Sequence, residues 1–177
     1  MSSSIENLKS EVVRRSGLAN PNRFRAFINV PNYVKEGGKF DMQSLNLLCE
    51  SITFPGKQIE TLDYSMYRNP LKIPTGYIND DVTITFRLTE DFYVKNIYEK
   101  WQQGIINQKT YTLRYLAEYV TDIFLEHQDK QDKVKYGIIL RDAYPVTLGA
   151  VAKSQTTTDS ILTLDVTFSC RDVIIDN

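Results

Sequence analysis

Asp81-Val82-Thr83-Ile84-Thr85-Phe86-Arg87-Leu88 alternates polar and apolar side chains without a break. Successive side chains of a strand leave on opposite faces, so Val82, Ile84, Phe86 and Leu88 make an apolar face and Asp81, Thr83, Thr85 and Arg87 a polar one. One face belongs to a core and the other to water, which is the pattern of an antiparallel sheet. Just downstream the period changes. Val94, Ile97, Tyr98, Trp101 and Ile105 recur at helical spacing, with Thr89 or Asp91 placed to cap the helix and Gly104 near its end. The unit that results is one strand feeding one helix with a buried face.

Working outward, Phe24, Ala26, Ile28 and Val30 alternate with Arg23, Arg25 and Asn29 and end at Pro31, which predicts a first strand. Residues 45–54 are apolar on both faces and predict a second, closed by Pro55-Gly56. Residues 111–128 fit either period, and we read an arm up to Tyr119 followed by a strand. The polar turn Asp129-Lys130-Gln131-Asp132 joins it to Val134, Tyr136, Ile138 and Leu140 in a hairpin. After an irregular stretch from Asp142 to Ser160, a last strand points Leu162, Leu164, Val166, Phe168 and Cys170 inward. At the other end, Ile5, Leu8 and Val12 form the stripe of an N-terminal helix within residues 1–20, with Ser3 and Glu6 in capping-box spacing and Gly17 at the stop. A helix this short is marginal alone, so its stripe needs a partner. Residues 55–77 show no clear period yet carry Tyr64, Met66, Tyr67, Pro70 and Tyr77, and we read them as a long loop with a working surface. The sum is a mainly β chain, an antiparallel sandwich or barrel of about six strands with one packed helix, and a single domain over residues 1–177.

The chain has 177 residues, 21 Lys+Arg against 22 Asp+Glu, 42% hydrophobic and 24% charged residues, values that fit an ordinary globular domain rather than a disordered chain. No window approaches the roughly 18 apolar residues of a membrane-spanning helix. The opening residues lack the basic start and apolar run of a secretion signal, and Cys49 and Cys170 are the only cysteines, so free thiols are expected. A net charge of −1 also lacks the basic footprint of a protein that grips phosphates.

Catalytic chemistry has little to stand on. His127 is the only histidine and reads as a strand residue. Cys49 and Cys170 have no ligand-spaced partners, which speaks against zinc and against any metal or cofactor. Asp80-Asp81 and Glu90-Asp91 are neighbours, and neighbours on a strand face opposite ways, which defeats paired acid and base work. Gly37-Gly38-Lys39 is no phosphate loop and reads as a turn. The basic residues Arg14, Arg15, Arg23, Arg25, Lys130, Lys133 and Lys135 are diluted by Glu11, Asp129 and Asp132. Tyrosines in the long segment and at Tyr111, Tyr115 and Tyr119 serve either an interface or a core.

Several pieces then fall in a recognisable order. Asn20-Pro21-Asn22-Arg23-Phe24 enters the first strand, and Phe54-Pro55-Gly56 with Ile59 leaves the second. Lys72-Ile73-Pro74-Thr75-Gly76 and Asp80-Asp81-Val82 open the third. Trp101 sits in the helix, Tyr136 in the hairpin, and Ala143-Tyr144-Pro145 precedes Leu164-Asp165-Val166-Thr167-Phe168. By this order and spacing the chain resembles the tail tube protein family of T-even-like contractile-tailed bacteriophages over nearly its whole length. It departs from that family at Phe168-Ser169-Cys170-Arg171, where aromatics such as Tyr or Trp are usual.

The resemblance implies a structural virion protein and no enzyme: hexameric rings stacked into a tail tube, assembled in the host cytoplasm, through which the tape measure protein and DNA pass. It implies as partners other copies of the chain, a tail sheath protein, and baseplate and tail terminator proteins, with no membrane binding and no cofactor. Contacts between subunits and rings are then expected at Ile5, Leu8 and Val12 and at Tyr64, Met66, Tyr67, Pro70 and Tyr77. Asp81, Thr83, Thr85, Asp165 and Thr167 are candidates to face the lumen, where a near-neutral wall suits sliding because each neutralised phosphate adds affinity. A baseplate tube initiator of the same fold is the nearest alternative, and tubes of type VI secretion a more distant one. Outside this class stand a single-stranded nucleic-acid-binding β-barrel, which predicts salt-sensitive oligonucleotide affinity, and an enzyme, which predicts a pocket of convergent titratable groups.

Overall fold

The alternation at residues 82–87 becomes a strand whose Val82, Ile84 and Phe86 have no solvent exposure, and the rest of the chain is arranged around it. A computed structural model describes residues 3–15, 17–36, 40–65, 71–153 and 161–176. The side chain of Ser3, the expected turn at residues 37–39, and Met66, Tyr67 and Pro70 lie outside the described residues. The elements in order are α1 (Ser3–Arg14), β1 (Phe24–Ile28), α2 (Asn32–Lys35), α3 (Met42–Leu47), β2 (Cys49–Ile52), β3 (Lys57–Tyr64) and β4 (Leu71–Asn79). They continue with β5 (Val82–Arg87), α4 (Tyr93–Ile105), α5 (Leu116–Tyr119), β6 (Thr121–Gln128), β7 (Val134–Leu148), β8 (Thr163–Ser169) and β9 (Asp172–Asp176).

Seven strands make one antiparallel sheet in the order β1-β6-β7-β8-β5-β2, with β9 also on β7, while β3 and β4 pair only with each other. The long β7 serves two groups. Its first part pairs with β6 and β9, and from Tyr144 to Leu148 it pairs with β8. The change of partner falls at Asp142, whose φ of 52° departs from extended geometry within the continuous strand. Asp142 donates its N–H to the Asp122 carboxylate at 3.2 Å and pairs with Arg171 at 3.0 Å, in the link between β8 and β9. One irregular residue in β7 and one short link therefore divide the sheet into a β6 half (β1, β6, β7, β9) and a β5 half (β7, β8, β5, β2). The inward residues of both halves, Ile123, Leu125 and Leu140 from one and Ile84, Val166 and Phe168 from the other, share one core with α4.

Helix α4 forms where its apolar spacing predicts, and Val94, Ile97, Tyr98, Trp101 and Ile105 are all buried. Asp91 bonds the Thr89 hydroxyl and accepts the Tyr93 N–H at 3.2 Å, which holds its carboxyl below the usual range and satisfies one of the free donors of the first turn. Tyr98 and Trp101 pack on Phe168 with ring centroids 5.7 and 6.3 Å apart, and the Trp101 indole N–H donates to the Tyr119 carbonyl at 2.8 Å. Gly104 lies under the Tyr33 ring, whose hydroxyl donates to the Trp101 carbonyl at 2.8 Å, and a Cβ at Gly104 would overlap that ring. Gly104→Ala is expected to destabilise the fold by about 1–3 kcal/mol, read as a lower urea midpoint at unchanged slope.

The architecture corrects the sequence reading in four places. There are nine strands and five helices among the described residues, not about six strands and one packed helix. The sheet does not close into a barrel, because β1 and β2 end its path without pairing to each other. Residues 45–54 do not form one strand: Asp41 accepts the Gln43 and Ser44 N–H groups and starts α3, so only Cys49–Ile52 pairs with β5. The stretch read as irregular from Asp142 to Ser160 begins as strand, since β7 continues to Leu148; residues 149–153 form no helix or strand, and 154–160 lie outside the described residues.

Candidate assembly surface

The expected long loop is a hairpin. β3 and β4 pair antiparallel from Lys57↔Asn79 to Tyr64↔Leu71, with a register shift between Glu60 and Thr61. Every residue of β3 is exposed. The hairpin prolongs the β2–β5 pair beyond the core, joined at its base by the Asp80 N–H to the Gly56 carbonyl at 3.3 Å. Leu62 opposes Ile73 and Tyr64 opposes Leu71, and alternation puts these four on one face. On the other face Tyr77 opposes Ile59, with the Lys57 ammonium 4.5 Å above its ring. A two-stranded hairpin is marginal alone in water, so this apolar projection needs something to lie against.

Helix α1 is the second projection. Ile5 and Leu8 are 61% and 64% exposed, and Val12 is half-buried. Gly17, with φ 103°, ends the helix by donating its N–H to the Val12 carbonyl at 2.8 Å. Glu11 lies 2.6 Å from Arg14 and 2.9 Å from Arg15, which holds its carboxyl below the usual range.

The outward face of the β5 half is polar and close-knit. Thr83 opposes Thr167 with their hydroxyls 3.2 Å apart, and Thr85 opposes Asp165 and donates to it at 2.8 Å. Four of the five candidate lumen residues thus meet on one surface, and Asp81 lies exposed just before β5. Among the tyrosines of the arm, Tyr111 and Tyr115 are exposed, while Tyr119 is buried beneath α4.

The outward face of the β6 half was not anticipated. Register aligns Phe27 with Phe124, Phe124 with Ile139 and Ile139 with Ile174, one apolar residue on each of four strands. The signal was present in Phe27 and Phe124, which sit at outward parity in strands read as having a single apolar face.

Among the described residues no catalytic constellation accompanies these surfaces. Among the described residues no three His, Cys, Asp or Glu side chains group to hold a metal. His127 is half-buried in β6 opposite Phe24 and Tyr136. Burial pushes the Cys49 thiol up to about 12 and raises that of Cys170, so neither is a ready nucleophile. Arg23 pairs with Asp132 at 2.6 Å and Lys135 with Asp129 at 3.9 Å, so basic residues of both clusters already have acidic neighbours. No helix of the described residues is long and apolar enough to cross a membrane.

A β-rich body with two exposed apolar projections and contrasting outer faces suits a structural protein. A model of the phage tail tube protein family matches residues 19–175, and the chain belongs to that family. Its fold is similar to a chain of the anti-feeding prophage baseplate, with TM-score 0.63 and 10% identity over 89% of this chain and 95% of that one. It is similar to a chain of the cap that terminates the anti-feeding prophage tube, with TM-score 0.63 and 15% identity over 90% and 91%. A third likeness is to a chain of the sheath/tube terminator of an extracellular contractile injection system, with TM-score 0.61 and 14% identity over 90% and 97%. No curated protein matches the sequence. The chain is a structural tube-type protein rather than an enzyme, and its fold is common to phage tails and contractile injection systems rather than particular to T-even-like phages.

Proposed function

We propose that the protein is the tube subunit of a contractile-tailed phage, forming hexameric rings that stack into the conduit for genome delivery. The observation that carries this is the contrast between the Thr83–Thr85–Asp165–Thr167 face and the apolar hairpin beside it. A flat wall of hydroxyls and carboxylates with no cluster of Lys or Arg lets a polyanion slide, since little counterion release is available to hold it. The hairpin continues the edge of the same half of the sheet over eight residues of β3, a reach of about 26 Å, far enough to touch a neighbouring ring. Open edges at β2 and at the end of β7 give the β5 half two places to pair with adjacent copies, which would also remove the aggregation risk of bare edges. The sheath would lie outside this tube, with baseplate and terminator proteins at its ends and the tape measure protein and DNA within.

A second reading has its own support. The solved likenesses include a baseplate chain and two terminators, so the chain could start or end a tube rather than repeat along it. Negative-stain electron microscopy over a concentration series separates the two. The tube reading expects stacked rings with a channel wide enough for duplex DNA. Single rings or monomers at every concentration would favour the initiator or terminator, and salt-sensitive oligonucleotide binding by a monomer would favour a single-stranded nucleic-acid binder.

A further inference from the structure

Phe27, Phe124, Ile139 and Ile174 stand side by side across β1, β6, β7 and β9, on the face turned away from the core. Phe124 is 41% exposed, and Phe27, Ile139 and Ile174 are half-buried. The rows on either side are charged. Arg25, Glu126 and Asp176 align along one rim through Gly137, and Asp122, Arg141 and Asp172 follow along the other, each rim holding two carboxylates and one guanidinium. The result is an apolar channel between two net-acidic borders.

Helix α1 is its complement. At about 100° per residue, Leu8, Val12 and Ile5 fall within one narrow arc, with Arg15 bordering it on one side and Lys9 on the other. Glu11, ion-paired to Arg14 and Arg15, lies just beyond Arg15, so the Arg15 flank carries one net positive charge and the Lys9 flank another. Ile5 to Val12 covers about 10 Å of helix axis, and three strand spacings of about 4.8 Å give the stripe about 14 Å, so the lengths agree. Within one chain α1 makes no substantial packing with any strand, and Ile5, Leu8 and Phe124 remain exposed.

We propose that the Phe27–Phe124–Ile139–Ile174 stripe of one copy receives α1 of a neighbouring copy. This rests on the reading of the chain as a self-assembling subunit. Each copy then offers one helix and one channel, a head-to-tail contact that closes around a ring or runs from ring to ring. Ordering of α1 is coupled to assembly, because the helix gains its missing packing only on the neighbour.

The test uses the full chain carrying Leu8→Cys and Phe124→Cys, the midpoints of helix and stripe, so that either helix direction brings them together. After oxidation by oxygen with a copper catalyst, denaturing gels should show a ladder of linked dimers and larger species that neither single variant gives. A disulfide that leaves the chain monomeric would place α1 on its own sheet and overturn the proposal. Absence of any new disulfide would overturn it as well. If the double variant fails to fold by circular dichroism, Val12→Cys with Ile139→Cys makes the same measurement. Electron microscopy of unsubstituted protein is read in parallel: tubes without a ladder sink this inference and leave the tube reading standing, whereas a ladder without tubes does the reverse.

Discussion

Leu62→Ser with Ile73→Ser is expected to leave a folded subunit that no longer builds tubes at the concentrations where the unsubstituted protein does. The two residues oppose each other on the hairpin, at 60% and 40% exposure, and neither belongs to the core. Exposed single substitutions away from core, caps and networks usually change stability by less than about 0.5 kcal/mol, so the urea midpoint should hardly move. Contact between rings is another matter. With Tyr64, Leu71 and Ile78 nearby on the same projection, the pair forms the kind of contiguous apolar patch that marks an interaction site. Truncating the centre of such a patch costs about 2 kcal/mol or more per contact, equivalent to roughly thirtyfold in affinity, and a stacked tube repeats the contact at every subunit. Sedimentation and electron microscopy at matched concentrations read the effect. Tubes of normal length at the usual concentration would show that the hairpin is not the contact between rings.

Ile84→Asp should have the largest effect on folding. Ile84 has no solvent exposure and stands in register between Ile52 of β2 and Val166 of β8. No cation is placed there to pair with a carboxylate, and an unpaired charge in such a site is removed from water without compensation. The loss should exceed about 4 kcal/mol, set against a total stability of about 5–15 kcal/mol for a domain. We expect insoluble protein, or soluble protein without a cooperative urea transition. A cooperative transition near that of the unsubstituted chain would mean that β5 is not at the centre of the core.

What the sequence made legible follows from how long a local pattern stayed in phase. β5, β8 and α4 keep one period from end to end, and each of their expected core residues from Val82 to Ile105 and from Leu164 to Phe168 is buried or nearly so. The hairpin was hidden because the register shift beside Glu60 adds a residue to β4. Leu71 and Ile73 therefore keep odd parity while Ile78 has even parity, and the alternation is lost to a simple reading. In α3, the Asp41 cap overrode a run that is apolar on both faces. The continuity of β7 was obscured by Asp142, which accepts a positive φ held by Arg171 and Asp122, two residues far away in sequence. Of the surface, the polar face at Thr83, Thr85, Asp165 and Thr167 was readable because outward parity is as regular as inward parity. The stripe across the β6 half was not, because it exists only once four separate strands are brought into register.

The account's central claim is that the β5 half faces the lumen of a tube made by this chain alone. A cryo-electron microscopy reconstruction of assembled protein, at a resolution that separates strands, tests it most directly. The account predicts an inner wall formed by β2, β5, β8 and the end of β7, with Thr83, Thr85, Asp165 and Thr167 pointing into the channel and the β3–β4 hairpin against the next ring. An inner wall formed by β1, β6 and β9, with Phe27 and Phe124 in the channel, would contradict it.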